Sequence, residues 1–347
     1  LKTITLWLFV LLAATSALLT ACGETSALSG ASMQSSAPLP AATRTPLPAP
    51  ITAGAFLPPP GQIYFGAYVN TSGLVGGNTP VDTASLETQL GRSLALHMQY
   101  EQFTANFSGR ALQDDFVNFR IPIVSIDCGA TNAQIISGAY DATLRLKADE
   151  AKNFAWPAFV RFFWDPNLPA TQLGRKVCYD PLTDRPNNIF DPTEYKLAWA
   201  HIRAIFAQDG AVNVVWLWTV SATGSNPLDY YPGDSQVDWV GVDNYDLNGS
   251  DFVSTFSPMY AQLSTLNKPI MITETGAPAA AQTAFFGAAL EGLTATFPRV
   301  QAFTYYDAID YAAAGTRANQ DWRVTTAAFS SFSALANYPY LAAYYGR

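Results

Sequence analysis

Eight short apolar runs, separated by stretches with helical spacing, constrain this chain more than any other feature of its sequence. The runs cover residues 63–69, 94–99, 121–126, 158–163, 212–218, 239–242, 270–273 and 300–305. Between them lie stretches such as 193–208, where Tyr195, Ala198, Trp199, Ile202, Ile205 and Phe206 keep an i, i+3, i+4, i+7 stripe. Strands that are apolar on both faces and alternate with amphipathic helices must be covered on both sides, which indicates a parallel sheet. Eight such units in roughly 285 residues predict an α/β fold closed into a (β/α)8 TIM barrel, a single domain over residues 61–347. An open doubly wound sheet would call for a Gly-rich turn after the first strand, and Gly73, Gly76 and Gly77 do not form a G-x-G-x-x-G.

The run at 268–278, KPIMITETGAP, ends in a carboxylate. Its apolar and β-branched residues lead straight into Glu274, after which Thr275-Gly276 and Pro278 stop the strand. A carboxylate at the end of a buried strand is either paired or engaged in chemistry. The C-terminal ends of parallel barrel strands are where catalytic groups sit. A helix N-cap or a buried ion pair is the alternative.

The first 23 residues carry one charge, Lys2, followed by an apolar run over 4–19 and the small residues Thr20-Ala21-Cys22. Residues 1–21 therefore read as an export signal, too short for a membrane span. Leu19-Thr20-Ala21-Cys22 resembles the lipobox of bacterial lipoproteins, which implies lipidation at Cys22 and an exported protein anchored to the cell surface by lipid alone. From 22 to 60 the chain is rich in Ser, Ala, Thr and Pro with no apolar periodicity, an extended tether. Of three cysteines, Cys128 and Cys178 remain, and in an exported protein that even remainder favours a disulfide over two buried thiols.

If the barrel closes, the strand ends list its active rim: Glu101, Asp127, Asp165, Trp218, Asp243 with Tyr245, Glu274, and residues 305–307. Carboxylates and aromatic rings on one face suit a sugar, because rings stack on pyranose faces and a carboxylate pair performs the acid and nucleophile steps. A net charge of -8 argues against nucleic acid as a partner. With only His97 and His201, no multi-histidine metal site is expected. The segment 243–251, DNYDLNGSD, lacks the ordered calcium-loop pattern and reads as a loop. No cofactor and no oligomer is indicated, so a monomer is expected.

The segments IISGAYDATL, FVRFFWDPN, AVNVVWLWTV, YYPGDSQVDWVGVDNYD, KPIMITETGA and QDWRV, in this order and spacing, resemble glycoside hydrolase family 26, the β-mannanase family, over most of 61–345. That resemblance implies that Glu274 is the nucleophile and that the Tyr245 phenol hydrogen-bonds to it. It also implies an endo-β-1,4-mannanase-like retaining hydrolase. Trp322 is either an aromatic floor for the sugar or part of a barrel-closing motif.

The departure lies on strand four. The family pattern Arg-x-x-His-Glu-Met-Asn is here Arg161-Phe162-Phe163-Trp164-Asp165-Pro166-Asn167, so Arg161 and Asn167 match, His becomes Trp164, and the acid/base Glu becomes Asp165. Asp is shorter by one methylene, about 1.5 Å, whereas retaining enzymes hold their carboxyls roughly 5–5.5 Å apart and inverting ones roughly 6.5–9.5 Å. Three outcomes stay open: a retaining enzyme with an adjusted strand, an altered hydrolase, or a glycan-binding barrel without turnover. A β-glucanase or xylanase activity is also open.

Arg161 shares strand parity with Phe163 and Asp165, which predicts that all three face the barrel interior. There the guanidinium would pair with Glu274, or structurally with Asp127 or Glu101. Trp164 is expected to cover the leaving-group side of the pocket, and Trp218, nearer its strand end than Trp216, to offer a platform. A bridge between Cys128 and Cys178 would pin the strand-four loop beside Asp165.

Overall fold

The computed structural model describes residues 56–71, 80–107, 109–169, 191–310, 320–342 and 344. The segment 1–21 expected to be a signal, Cys22 expected to carry lipid, residues 23–55 of the expected tether, and Cys178 all lie outside the described residues.

Eight parallel strands close into a barrel in sequence order: β1 Tyr64–Asn70, β2 Leu96–Glu101, β3 Ile121–Ile126, β4 Ala158–Phe162, β5 Val214–Ser221, β6 Trp239–Asp243, β7 Ile270–Glu274 and β8 Val300–Ala308, with β8 pairing back to β1. Around it run α1 Pro80–Leu90, α2 Arg110–Val117, α3 Asn132–Ile136, α4 Asp141–Phe154, α5 Pro192–Asp209, α6 Phe252–Leu263, α7 Gln282–Glu291 and α8 Phe329–Ala336. Between β5 and β6 no helix of full length intervenes, and the two strands are joined by a 3-10 turn, Pro227–Tyr230.

Local grammar explains the helix ends. In α5 the Asp191 side chain accepts the Thr193 and Glu194 N–H groups, Pro192 opens the first turn, and Gly210 closes the helix in the left-handed region. The buried face of α5 is the stripe read from the sequence, Tyr195, Ala198, Trp199, Ile202, Ile205 and Phe206.

Strand alternation sorts the core into two layers. Phe65, Val160, Trp216, Trp218, Val240 and Ile272 face the helices. Tyr64, Leu96, Met98, Ile123, Phe159, Leu217, Trp239 and Met271 fill the barrel. At its N-terminal end Phe159 takes two edge-on ring contacts, from Phe56 at 5.4 Å and from Trp239 at 5.2 Å. Phe56 is 1% exposed, which corrects the expected tether of 22–60, because an aromatic ring that plugs the barrel floor outweighs the Pro-rich composition around it.

Candidate active site

The β6–β7 register slips by one residue, so that Val242 pairs with Ile272 but Asp243 pairs with Glu274. Simple alternation from the outward-facing Ile272 would send Glu274 to the helices, and the irregularity re-aims it into the barrel mouth. There Arg161 from β4 donates through Nη2 to Glu274 Oε1. The Tyr100 hydroxyl from β2 donates to the same oxygen at 2.6 Å, and the Tyr245 hydroxyl donates to Oε2 at 2.7 Å.

Arg161 is wholly buried and partnered along its length. Nε donates to Ser125 Oγ at 2.6 Å and Nη1 to Asp243 Oδ2 at 3.0 Å, while Nη2 also lies 3.3 Å from the Tyr100 hydroxyl. Of the partners expected from the sequence, it takes Glu274 rather than Asp127 or Glu101. Burial works against its charge, but the Glu274 and Asp243 carboxylates outweigh that and hold the guanidinium above its ordinary value. Asp243 is pushed well up, first by burial and then by the Glu274 charge, with Arg161 opposing. One guanidinium thus faces two carboxylates, and burial and the Glu274 charge both work against the charge on Asp243.

Strand four ends sooner than expected. Phe163 turns left-handed at φ 40° and Asp165 at φ 58°, so the predicted common face of Arg161, Phe163 and Asp165 does not form. The Phe163 ring joins the barrel–helix core beside Phe162. Asp165 is 1% exposed, donates its N–H to the Thr219 carbonyl at 3.3 Å, and lies close enough to Asp243 for its charge to help push that carboxyl up. Trp164 is 4% exposed, with its ring 4.9 Å from Tyr100 and the Arg161 guanidinium 5.3 Å from its centroid.

Three expected substrate contacts are placed elsewhere. Asn167 spends its amide on the scaffold: Nδ2 donates to the Ser221 and Ser225 carbonyls at 2.8 and 3.0 Å, and Oδ1 accepts the Ser221 N–H at 2.9 Å. Trp218 sits on the helix side of β5, is 0% exposed and packs on Tyr231, because parity sends Leu217 and Thr219 inward instead. Trp322 is 0% exposed and touches the site from behind, with the Tyr245 ring 5.0 Å away. The Trp322 backbone N–H donates to the Ala308 carbonyl beside an Ile309–Asp321 bridge, so QDWRV closes the barrel at β8.

The other rim residues brace loops. Asp127 accepts the Phe103 and Gly129 N–H groups at 2.8 and 3.1 Å. Glu101 lies 3.5 Å from the buried Lys147, and burial pushes its carboxyl up to about 7. Asp251 caps α6 by accepting the Ser254 N–H. Tyr305 donates to the Trp322 carbonyl at 2.8 Å. Asp307 lines a cavity of about 490 Å3 on the α1 side with Thr71, Gln89 and Arg323, apart from Glu274. Cys128 is disulfide-bonded, while Cys178, its expected partner, is outside the described residues.

Sequence reasoning named Tyr245 and residues 305–307 but missed Tyr100 and Tyr68, which complete an aromatic arc around Glu274. Tyr100 contacts Tyr68 at 5.0 Å, Tyr68 stacks on Tyr306 at 4.8 Å, and Tyr306 meets Tyr245 at 5.9 Å. The available signal was parity: Leu96, Met98 and Tyr100 alternate along β2 and share the inward face.

A (β/α)8 barrel that presents one carboxylate at the end of β7, held by a buried arginine and two phenols, has charged and polar groups gathered on the face where barrel enzymes place their sites. The profile of Glycosyl hydrolase family 26 matches residues 188–322. Endoglucanase H of Acetivibrio thermocellus is 33% identical over 215 residues, covering 57% of this chain and 23% of that protein. Mannan endo-1,4-beta-mannosidase of Bacillus subtilis is 36% identical over 72 residues, covering 19% of this chain and 17% of that protein. The matches therefore span less than a quarter of the length of these curated relatives. The structure of Bacillus subtilis mannanase man26 aligns over 80% of this chain and 85% of that one with a TM-score of 0.53 at 19% identity, a likeness of fold. Residues 188–322 match the model of that family, and over this stretch the resemblance read from the motifs is borne out. The matched stretch holds Asp243, Tyr245, Glu274 and Trp322 and excludes the divergent segment at 161–167.

Proposed function

We propose that this barrel is a retaining glycoside hydrolase acting on a β-1,4-linked polysaccharide, with a mannan as the first substrate to test. The observation that carries the reading is the clamp on Glu274, whose two oxygens accept hydrogen bonds from Arg161, Tyr100 and Tyr245. Such a clamp keeps the carboxylate ionised and fixes its approach, as a nucleophile requires.

In the first step a Glu274 oxygen donates its electron pair to the anomeric carbon. The glycosidic bond breaks, and its pair leaves on the departing oxygen, which takes a proton from Asp165. In the second step water attacks the same carbon, gives its proton to Asp165, and the ester bond returns its pair to Glu274. Relatives named an endoglucanase and a mannan endo-1,4-beta-mannosidase support a β-1,4-glycan as the substrate class. Export and lipid attachment at Cys22 belong to the same proposal, since a polysaccharide is met outside the cell.

The test is release of reducing sugar from β-mannan, mixed-linkage β-glucan and xylan by the wild type and by Glu274→Ala. Turnover of one polymer that vanishes in the variant supports the hydrolase; turnover that survives the substitution contradicts it. The second reading is a glycan-binding barrel without turnover, favoured by one observation: Asp165 is 1% exposed on a left-handed backbone. That reading predicts polymer binding of equal strength in both proteins and no sugar release from either.

A further inference from the structure

Tyr100 has no part in the motifs that identify the nucleophile, yet its hydroxyl occupies the same carboxylate oxygen as Arg161. It donates to Glu274 Oε1 at 2.6 Å and lies 3.3 Å from Arg161 Nη2, so it accepts from the guanidinium while it donates to the carboxylate. The ring has little freedom. Trp164 stands 4.9 Å away on one side, Tyr68 5.0 Å away on another, and the Arg161 guanidinium lies 5.5 Å from the ring centroid. Burial, followed by the Glu274 charge, pushes the phenol well above its ordinary value, so Tyr100 stays protonated and remains a donor.

A donor held against a carboxylate favours the charged state over the ester, because a hydrogen bond to an ionised acceptor is roughly twice as strong as one to a neutral acceptor. We propose that Tyr100 is a positioning residue that makes Glu274 a better leaving group in the second step of the reaction. This rests on the hydrolase reading above. As the bond between Glu274 and the anomeric carbon breaks, its electron pair returns to the carboxylate, and the Tyr100 and Arg161 hydrogen bonds strengthen as that charge appears. In the first step the same bonds restrain the nucleophile. Tyr100 therefore balances the two half-reactions and speeds release of the glycosyl-enzyme at some cost to its formation.

The experiment compares wild type and Tyr100→Phe on an aryl β-glycoside whose leaving group needs no acid. Without the hydroxyl, kcat falls about tenfold, the value of one charge-assisted hydrogen bond. KM falls by a similar factor because the glycosyl-enzyme accumulates, and kcat/KM changes by no more than about twofold. The acid limb of kcat/KM moves to higher pH, since a carboxylate that loses a donor protonates more readily. An unchanged acid limb, with kcat and KM both unaltered or with kcat/KM lowered at every pH, overturns the proposal; the last pattern is what mere structural damage produces.

A second measurement separates this claim from the hydrolase reading. In protein carrying 13C-labelled glutamate, the Glu274 carboxyl is followed by NMR titration and assigned with Glu274→Gln. A midpoint at higher pH in Tyr100→Phe supports the Tyr100–Glu274 coupling even if the wild type turns over no glycoside. An unchanged midpoint overturns it even if the wild type is active.

Discussion

Nη1 of Arg161 lies 3.0 Å from Oδ2 of Asp243, with both side chains fully buried. Because the same guanidinium also holds Glu274, its loss leaves two carboxylates facing each other without a counter-charge. Arg161→Leu is expected to destabilise the barrel by about 3–5 kcal/mol, measured by urea unfolding at neutral pH. The penalty shrinks as pH falls, because Asp243, already pushed up by burial and Glu274, then takes a proton.

The Glu101 carboxyl titrates at about 7 in the folded chain instead of near 4.5, because burial disfavours its charge more than Lys147 restores it. A carboxyl whose folded value is raised favours folding while it is protonated, so its contribution is present below pH 4.5 and is lost as pH rises from 4.5 to about 7. Asp307, raised to about 6 by burial, acts in the same direction. Calorimetric melting between pH 4.5 and 8 should show Glu101→Gln losing stability less steeply than the wild type, by on the order of 2 kcal/mol across that window. Parallel curves would contradict the assignment.

A Cβ at Gly276 would sit 2.8 Å from the Trp322 ring, and Trp322 in turn backs Tyr245. Gly276→Ala should therefore shift Trp322, cost about 1–3 kcal/mol, and reduce turnover in parallel with Tyr245→Phe. A lower melting temperature with unaltered turnover would mean that Trp322 closes the barrel without supporting the phenol.

The elements were legible because their signals are local. The stripe on α5 and the apolar runs of all eight strands follow from periodicity, and the closed order follows from the parallel alternation. Glu274 was legible because a charge ending an apolar strand stands out against its neighbours. Tyr100 was not, since a tyrosine on an apolar strand reads as core, and its bond to Glu274 joins residues 174 positions apart through barrel closure. The strand-four face was misjudged for a different reason. Parity holds only while the backbone stays extended, and positive φ at Phe163 and Asp165 ends it, a conformation a Phe codon does not announce. Trp218 and Asn167 were misplaced because their residue types suit sugar contacts, while parity and a complete set of amide hydrogen bonds commit them to the scaffold.

The central claim, that Glu274 attacks the anomeric carbon, is tested most directly by trapping. The wild type is incubated with a 2-deoxy-2-fluoro aryl β-glycoside, which slows both steps and whose activated leaving group needs no acid, and the digested protein is mapped by mass spectrometry. The account predicts a fluoroglycosyl adduct on the peptide containing Glu274, on that residue alone, and none in Glu274→Ala. An adduct on Asp165 or Asp243, or an unmodified protein that still turns over glycoside, would contradict it.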